Sequence, residues 1–228
     1  MFFKEIEMNR KITTIIWDLD GTIIDSLDLH LAAFQQVLPA YGIDLTREKF
    51  IETFGRSNSA CLQEFFGREL EPDFVTHVVD TKEAIYRNLL RDNLQPLPGV
   101  LDWVDYFDKQ GMKQALASSA PPENIDAALS ELNLRRYFKL AMSGEDFPSK
   151  PEPDLFLETA RRLGSHPAEC VVIEDSVAGV MAGNAAGMIT AAIVGTQSED
   201  ELPAGLILED YQGSPEEFLR ELSRLHSG

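Results

Sequence analysis

Four acidic side chains stand in two pairs, and each pair directly follows a short apolar run that is typical of a buried strand. Asp18 and Asp20 follow residues 12–17. Glu174 and Asp175 follow a later run. Two carboxylates within hydrogen-bonding reach repel each other by roughly 4 kcal/mol at an effective dielectric constant of about 20. A site that keeps them together needs a cation or a proton, and oxygen ligands without His or Cys partners favour Mg²⁺.

The sequence also supplies groups that could bind an anion beside such a cation. Ser118 and Ser119 follow another apolar run, and Lys150 precedes a predicted helix. A hydroxyl, nearby backbone N–H groups and an ammonium group together can hold phosphate oxygens. One polar residue at the end of a strand often does no more than cap a turn or a helix. Four acids, two serines and a lysine favour phosphoryl transfer, in which catalysis is mainly positioning and charge neutralisation.

Apolar runs and helical stretches alternate along most of the chain. The predicted strands are residues 12–17, 114–117, 140–142, 171–173, 189–194 and 206–208. The predicted helices, in which apolar residues recur at helical spacing, are residues 100–109, 123–132, 154–163 and 215–225. Strands that are apolar on both faces and alternate with helices predict an α/β fold with a mainly parallel sheet flanked by helices. The carboxyl ends of such strands form the natural ligand crevice, and the polar residues described above lie at those ends.

Residues 27–95 do not follow this alternation. They contain no convincing buried strand, and their apolar residues recur at helical spacing. The segment is bounded by Asp25-Ser26 and by the proline-rich stretch at residues 95–99, which suits a hinge. We therefore predict a small helical domain at 27–95, inserted into an α/β core domain made of residues 1–26 and 96–228.

Composition and charge exclude several classes of function. The chain has 228 residues, 44% apolar and 25% charged, which is ordinary for a globular enzyme or binding domain. Its 20 basic and 38 acidic side chains give a formal net charge of -18, which repels nucleic-acid phosphates and anionic lipids. Charge occurs too early in residues 1–5 for a signal peptide, and no apolar run reaches the roughly 20 residues of a membrane span. We expect a cytoplasmic monomer with no nucleic-acid or membrane partner.

Four motifs occur in order along the chain. They are Asp18-Leu19-Asp20-Gly21-Thr22, Leu116-Ala117-Ser118-Ser119, Ser149-Lys150-Pro151-Glu152-Pro153-Asp154 and Ile173-Glu174-Asp175-Ser176. In this order and at these intervals they resemble the motifs of the haloacid dehalogenase superfamily, and in particular its β-phosphoglucomutase-like branch of phosphatases and mutases. The resemblance covers essentially the whole chain. It implies a Rossmann-like α/β core with an inserted small α-helical cap domain, which closes over the site.

The resemblance also implies a role for each motif residue. Asp18 would be the nucleophile that carries the phosphoryl group as an aspartyl phosphate. Asp20 would be the general acid and base, and its backbone carbonyl would touch Mg²⁺. Glu174 and Asp175 would complete the metal site together with Asp18. The phosphate-binding residues would be Ser118, Ser119, Lys150 and Thr22. Dehalogenating members lack the second aspartate, so the presence of Asp20 indicates a phosphate substrate.

Four residues of the predicted cap are candidates for contacts with substrate. His30 lies ten residues after Asp20, where several members of the branch carry a histidine that contacts substrate and the acid/base aspartate; a half-buried helix residue is the alternative. Lys82 fits either a substrate-binding lysine or a solvated helix face. In the mutases an arginine holds the second phosphate, and Asn58 stands at that position here. Arg56, two residues earlier, either reaches an anion or lies in solvent. The departure at Asn58 favours hydrolysis.

We therefore expect a Mg²⁺-dependent phosphatase that hydrolyses a small organic phosphate monoester, a sugar phosphate or related metabolite, through an aspartyl phosphate. Two alternatives stay open at this stage. One is a β-phosphoglucomutase-type hexose-phosphate mutase, and the other is a non-catalytic member that binds a phosphorylated ligand. The filled nucleophile and acid/base positions disfavour the non-catalytic alternative. The substrate itself depends on cap side chains whose placement the sequence does not determine.

Overall fold

The computed structural model describes residues 11–53, 56–195 and 197–225 of the chain. Residues 1–5, on which the expectation about a signal peptide rests, and Gly55, which precedes Arg56, lie outside the described residues. The strands are β1 (Thr14–Trp17), β2 (Ile24–Asp25), β3 (Gln95–Pro96), β4 (Lys113–Ser118), β5 (Leu140–Ser143), β6 (Cys170–Glu174), β7 (Ile189–Ile193) and β8 (Leu206–Leu208).

Helices connect these strands. The α-helices are α1 (Leu27–Val37), α2 (Arg47–Ile51), α3 (Asn58–Phe66), α4 (Pro72–Leu90), α5 (Val100–Lys109), α6 (Pro122–Glu131), α7 (Asp154–Leu163), α8 (Val177–Ala185) and α9 (Pro215–Leu225). Short 3₁₀ helices occur at Leu38–Tyr41, Arg135–Tyr137, Pro167–Glu169 and Glu199–Glu201. Within the described part of the chain, none of the helices has both the length and the apolar character required to cross a membrane.

Six strands form one sheet in the order β5-β4-β1-β6-β7-β8, and every neighbouring pair is parallel. The chain builds outward from β1 on one side through β4 and β5. It then returns to the other side of β1 to add β6, β7 and β8. The strand order therefore reverses beside β1, and the loops after β1, β4 and β6 diverge there to form a crevice.

Successive residues of β1 face opposite sides of the sheet, because side chains alternate along a strand. Ile15 and Trp17 pack in a core with residues of α5, α6 and α9, whereas Ile16 packs in a second core with residues of α7 and α8. All three side chains are fully buried. The result is a sheet covered by helices on both faces, which confirms the predicted α/β fold. The six predicted sheet strands all occur, with ends within two residues of their predicted positions.

The inserted segment, residues 27–95, contains α1 to α4 and has a hydrophobic core of its own. Its buried apolar side chains include Leu31, Phe34, Phe50, Leu62, Phe65 and Val78. At the two ends of the segment, β2 and β3 form a short antiparallel pair in which Ile24 faces Pro96. The sequence does not predict this pair, since two residues per strand are too few for a periodic pattern. The two chain crossings that lead into and out of the insertion therefore lie side by side.

Gly183 lets α8 pack closely against the sheet, and its replacement tests that packing. A Cβ at this position would lie 2.7 Å from Thr190 Cγ2 and 3.3 Å from Val172 Cβ. We expect Gly183→Ala to lower the free energy of unfolding by about 1–3 kcal/mol, because overpacking exceeds the gain in helix propensity. Gly213→Ala is the control, since nothing lies within 4 Å of the added atom there. Urea unfolding measures both; equal stability of the two variants would contradict the close-packing interpretation.

Candidate active site

The carboxyl ends of β1 and β6 bring three of the predicted acids together. Trp17 and Ile173 are paired in register, and the backbone N–H of Asp18 donates to the carbonyl of Ile173 at 2.9 Å. One carboxylate oxygen from each of Asp18, Glu174 and Asp175 lies within 4.8 Å of the other two. All three residues are buried. We refer to Asp18, Glu174 and Asp175 as the acid cluster.

Lys150 places an ammonium group inside the acid cluster. Its Nζ lies 2.7 Å from Asp18 Oδ1 and 2.7 Å from Glu174 Oε1. The same atom stands 5.0 Å from the centre of the Phe156 ring. Burial lowers the pKa of Lys150, but the two carboxylates outweigh burial and leave the pKa raised. The lysine is therefore charged, and its one positive charge faces three carboxyl groups.

The acid cluster fits a divalent metal ion in both charge and donor chemistry. Burial raises the pKa of Asp18 to about 7 against the opposing effect of Lys150, and the Glu174 carboxylate adds to the rise. Burial also raises the pKa of Asp175 well above its usual range, with Glu174 and Asp18 as further causes. Lys150 alone thus leaves an excess of negative charge, which a divalent cation would neutralise. Carboxylate oxygens are the hard donors that Mg²⁺ binds.

Two glycines and a serine hold the acids in place. Gly21 has a φ of +80°, and a Cβ there would overlap the Asp175 carboxylate. A Cβ on Gly179 would overlap the Glu174 carboxylate in the same way. Ser176 donates to Glu174 Oε2 from its backbone N–H at 2.7 Å and from its hydroxyl at 2.9 Å. Glycine is required at both positions because a carboxylate occupies the space where a side chain would begin.

Asp20 and the three residues of the acid cluster line one cavity, but the Asp20 side chain lies outside the acid cluster. Ser26 Oγ donates to Asp20 Oδ1 at 2.6 Å, and His30 Nε2 lies 3.3 Å from the same oxygen. Burial raises the pKa of Asp20, but the hydrogen bonds from His30 and Ser26 outweigh burial, so the pKa is lowered. The His30 ring stacks on Tyr86 with 3.9 Å between ring centres. Asp20 is therefore a carboxylate whose orientation is set by its neighbours.

Lys82 is 1% exposed, so the alternative of a solvated helix face is wrong. Its Nζ lies 2.8 Å from His30 Nδ1, 2.8 Å from Glu83 Oε1 and 3.3 Å from Asn58 Oδ1. An ammonium group can only donate, so all three of its hydrogens have an acceptor and His30 Nδ1 must accept. The ring hydrogen then resides on Nε2, which donates to Asp20. Lys82 thereby determines which tautomer His30 presents to Asp20.

The predicted phosphate-binding serines lie at the carboxyl end of β4 and line the cavity. Ser118 is 1% exposed, and its hydroxyl oxygen accepts from the backbone N–H of Ala120 at 3.1 Å. That bond uses a lone pair of the hydroxyl oxygen and leaves the hydroxyl hydrogen for donation to a ligand. Ser119 is exposed. The two serines thus offer one buried and one solvent-facing group.

The remaining candidates differ in burial and in whether they line the cavity; they are Arg56, Asn58 and Thr22. Arg56 is exposed and lines the cavity, while Asn58 lines it with both ends of its side chain engaged, donating to Glu83 and accepting from Lys82. Thr22 is fully buried and is not one of the cavity-lining residues. Its hydroxyl lies 3.4 Å from Asp175 Oδ1, where it can orient that carboxylate. A direct contact between Thr22 and phosphate stays a prediction.

Sequence reasoning missed two buried polar residues of the cavity, Glu83 and Asn124. Asn124 Nδ2 donates to Glu83 Oε2 at 2.6 Å. The two residues are 41 positions apart and lie on different helices, so no local spacing connects them. The one available signal was the position of Glu83 next to Lys82. Apolar lining residues were missed as well, among them Phe34, Phe50 and Cys61.

Known proteins resemble this chain in sequence and in structure. The family model for haloacid dehalogenase-like hydrolases matches residues 15–193. Hexitol phosphatase B of Escherichia coli (strain K12) is 31% identical over 195 residues, which cover 84% of this chain and 88% of that protein. Fructose-1-phosphate phosphatase YqaB of the same organism is 32% identical over 185 residues, which cover 79% and 96%.

A longer relative and a crystal structure complete the comparison. The protein SUPPRESSOR OF QUENCHING 1, chloroplastic, from Arabidopsis thaliana is 33% identical over 202 residues; the match covers 83% of this chain but only 18% of that protein. The crystal structure of β-phosphoglucomutase from Clostridium difficile has a TM-score of 0.83 at 25% identity and covers 93% of this chain and 97% of that one. Together with the acid cluster and the family match over residues 15–193, these likenesses confirm the resemblance predicted from the four motifs: the chain belongs to the haloacid dehalogenase-like hydrolase family.

Proposed function

We propose that this protein is a Mg²⁺-dependent phosphatase that hydrolyses a small organic phosphate monoester, a sugar phosphate or related metabolite, through an aspartyl phosphate on Asp18. The observation that carries the proposal is that Asp18 and Asp20 line one cavity together with Lys150 and Ser118. A nucleophile, an acid/base group and two phosphate-binding groups thus converge on a single space. The names of the two Escherichia coli relatives, both phosphatases, support the same reaction class.

In the first step, a carboxylate oxygen of Asp18 attacks phosphorus. The bond between phosphorus and the ester oxygen breaks as the alcohol leaves. Asp20, which takes up a proton when the negative charge of the substrate enters the cavity, passes that proton to the ester oxygen. Lys150, 2.7 Å from Asp18 Oδ1, offsets negative charge next to the attacking group. Ser118 donates its hydroxyl hydrogen to a phosphate oxygen. The product of this step is an acyl phosphate on Asp18 and a free alcohol.

In the second step, water attacks the phosphorus of the aspartyl phosphate. Asp20, now a carboxylate, accepts a proton from this water, and the bond between phosphorus and the Asp18 oxygen breaks. Inorganic phosphate is released and both aspartates return to their starting state. The hydrogen bonds from Ser26 and His30 stabilise the carboxylate form of Asp20 that this step needs.

The acid cluster would hold Mg²⁺ through Asp18 and Asp175, with Glu174 beside them and the backbone carbonyl of Asp20 as a further candidate ligand. Glu174 is engaged by Lys150 at Oε1 and by Ser176 at Oε2, so its main contribution is to anchor the lysine. When bound, the metal ion would neutralise charge on the transferring phosphoryl group and orient it.

We further propose that residues 27–95 act as a cap domain over residues 1–26 and 96–228. The cavity is lined from both parts: His30, Arg56, Asn58 and Lys82 come from the insertion, and the reacting aspartates come from the sheet. Substrate would therefore lie between the reacting residues of the sheet and the insertion residues that contact its non-reacting part.

Hydrolysis is favoured over the mutase reaction by the charges that line the cavity. A mutase has to hold a bisphosphate by both ends. Among the described cavity-lining residues, Lys150 and Lys82 are already paired with carboxylates, which leaves the exposed Arg56 as the cation available to a second phosphate. A coupled assay for glucose 6-phosphate formed from β-glucose 1-phosphate with a bisphosphate primer separates the two reactions.

Asp18→Asn tests the nucleophile. A carboxamide cannot form the acyl phosphate, so we expect phosphate release from p-nitrophenyl phosphate to fall by more than about 10³-fold. Thermal stability should be kept or raised, because the substitution removes one of the crowded buried charges. Asp108→Asn, an exposed aspartate on α5, is the matched control and should keep full activity. Turnover that persists in Asp18→Asn would rule out the proposed mechanism.

Metal removal tests the acid cluster. Treatment with EDTA should abolish phosphate release, and added Mg²⁺ should restore it. Calorimetric titration with Mg²⁺ alone should show binding to the wild-type protein and at least about tenfold weaker binding to Asp175→Asn, which loses one ligand charge. Full activity in EDTA, or equal Mg²⁺ binding by the two proteins, would show that the cluster is not the metal site.

A further inference from the structure

The carboxylate of Glu83 connects three helices. Its Oε1 accepts from Asn58 Nδ2 at 2.7 Å and from Lys82 Nζ at 2.8 Å, and its Oε2 accepts from Asn124 Nδ2 at 2.6 Å. The side chain is only 5% exposed. Burial raises the pKa of Glu83, but Lys82 and His30 outweigh burial and leave the pKa lowered, so the group is charged. Three donors from α3, α4 and α6 therefore meet at one buried anion.

Asn124 is the partner of Glu83 that belongs to the sheet side of the cavity. It lies on α6, shortly after the serines that follow β4, and it is 2% exposed. Its Oδ1 accepts from Arg87 Nη1 at 3.1 Å, while its Nδ2 donates to Glu83. Glu83 and Arg87 are four residues apart and so share one face of α4. Two side chains of the insertion thus hold a single buried residue of the core.

We propose that Glu83 is a positioning residue for the reaction, and that its hydrogen bond to Asn124 determines where the insertion stands relative to Asp20. The inference rests on the proposed function where turnover is the readout. Lys82 donates hydrogen bonds to both Glu83 and His30, and His30 in turn donates to Asp20. A shift of Glu83 would therefore also shift His30. A buried ammonium group that loses its carboxylate partner is strongly destabilised where it stands. Loss of the Glu83 charge therefore displaces Lys82 and, with it, the hydrogen bond to Asp20.

The arrangement requires a carboxylate at one end and an amide at the other. Glu83→Gln converts one accepting oxygen into a donor, which then faces another donor, either Asn124 or the Lys82 and Asn58 pair. Asn124→Asp instead places a second carboxylate against Glu83. In the double variant the new amide can donate to the new carboxylate, so the bond re-forms in the reverse direction. The total charge of the pair is then unchanged, and Arg87 remains beside the new carboxylate.

The experiment compares the wild type, Glu83→Gln, Asn124→Asp and the double variant in p-nitrophenyl phosphate hydrolysis with Mg²⁺. We expect each single variant to lower kcat/KM by about tenfold to a hundredfold, since each disrupts a hydrogen bond to a buried charge. The double variant should recover part of this loss and exceed both single variants, because the hydrogen bond between the two side chains re-forms while Lys82 keeps only an amide oxygen as its partner at position 83. Such recovery is not expected from two independent structural defects, whose effects would add.

Glu131→Gln is the matched control. Glu131 Oε1 accepts from the backbone N–H of Asp92 at 3.1 Å, so this carboxylate also joins α6 to the end of the insertion. It is exposed and is not one of the cavity-lining residues. We expect its variant to keep the wild-type kcat/KM, because an exposed contact of this kind contributes little.

Hydrogen exchange provides a readout that does not depend on turnover. The backbone N–H of Leu97 donates to the carbonyl of Ile23 at 2.8 Å, next to the β2–β3 pair at the junction of the two parts. Exchange at this junction and in α4 should accelerate in both single variants and slow again in the double variant, in which the hydrogen bond between α4 and α6 re-forms. Wild-type exchange in the single variants, or additive losses in the double variant, would overturn the proposal. If the wild type did not hydrolyse phosphate esters, the proposed function would be wrong. The exchange pattern would still test the role of Glu83.

Discussion

The site depends on a buried excess of negative charge at the carboxyl end of β1. Three carboxyl groups lie within 4.8 Å of one another and share one ammonium group, that of Lys150. This arrangement is unfavourable unless further positive charge arrives. Burial raises the pKa of Asp18 to about 7 despite Lys150, and the neighbouring Glu174 carboxylate adds to the rise. A divalent ion and a phosphate ester would together suit this site, because the cation would relieve the repulsion between the carboxylates and Lys150 would face the anion. The proposed chemistry follows from this imbalance of charge.

The sheet topology explains why these groups meet. Asp18 and Glu174 follow residues that are paired in register on adjacent parallel strands, so their side chains start from the same edge. The reversal of strand order beside β1 opens the space above that edge. Gly21 and Gly179 then allow two carboxylates to approach the backbone more closely than any other residue type would permit. The backbone geometry thus brings together carboxylates that would otherwise repel each other.

Asp20 lies where two polar systems meet. On one side are the acid cluster and Lys150, carried by the sheet. On the other side is a chain of contacts from Glu83 through Lys82 to His30, carried by the insertion. Because the tautomer of His30 depends on Lys82, the hydrogen bond that Asp20 receives depends on how the insertion is placed. Asp20 is therefore the residue at which the placement of the insertion and the polar groups of the sheet are physically coupled.

The α/β fold, the positions of the sheet strands and the proximity of four side chains could be predicted from the amino-acid sequence, because strand periodicity and strand-end motifs are local signals. The four side chains are those of Asp18, Glu174, Asp175 and Lys150. The sequence also indicated that residues 27–95 are helical. The burial of Lys82 and the contact between Thr22 and Asp175 could be seen only in the folded molecule. Only the tertiary structure showed that Glu83 bonds Asn124. Those contacts join segments far apart in the chain, and their geometry depends on how two packed bodies meet, which no local pattern encodes.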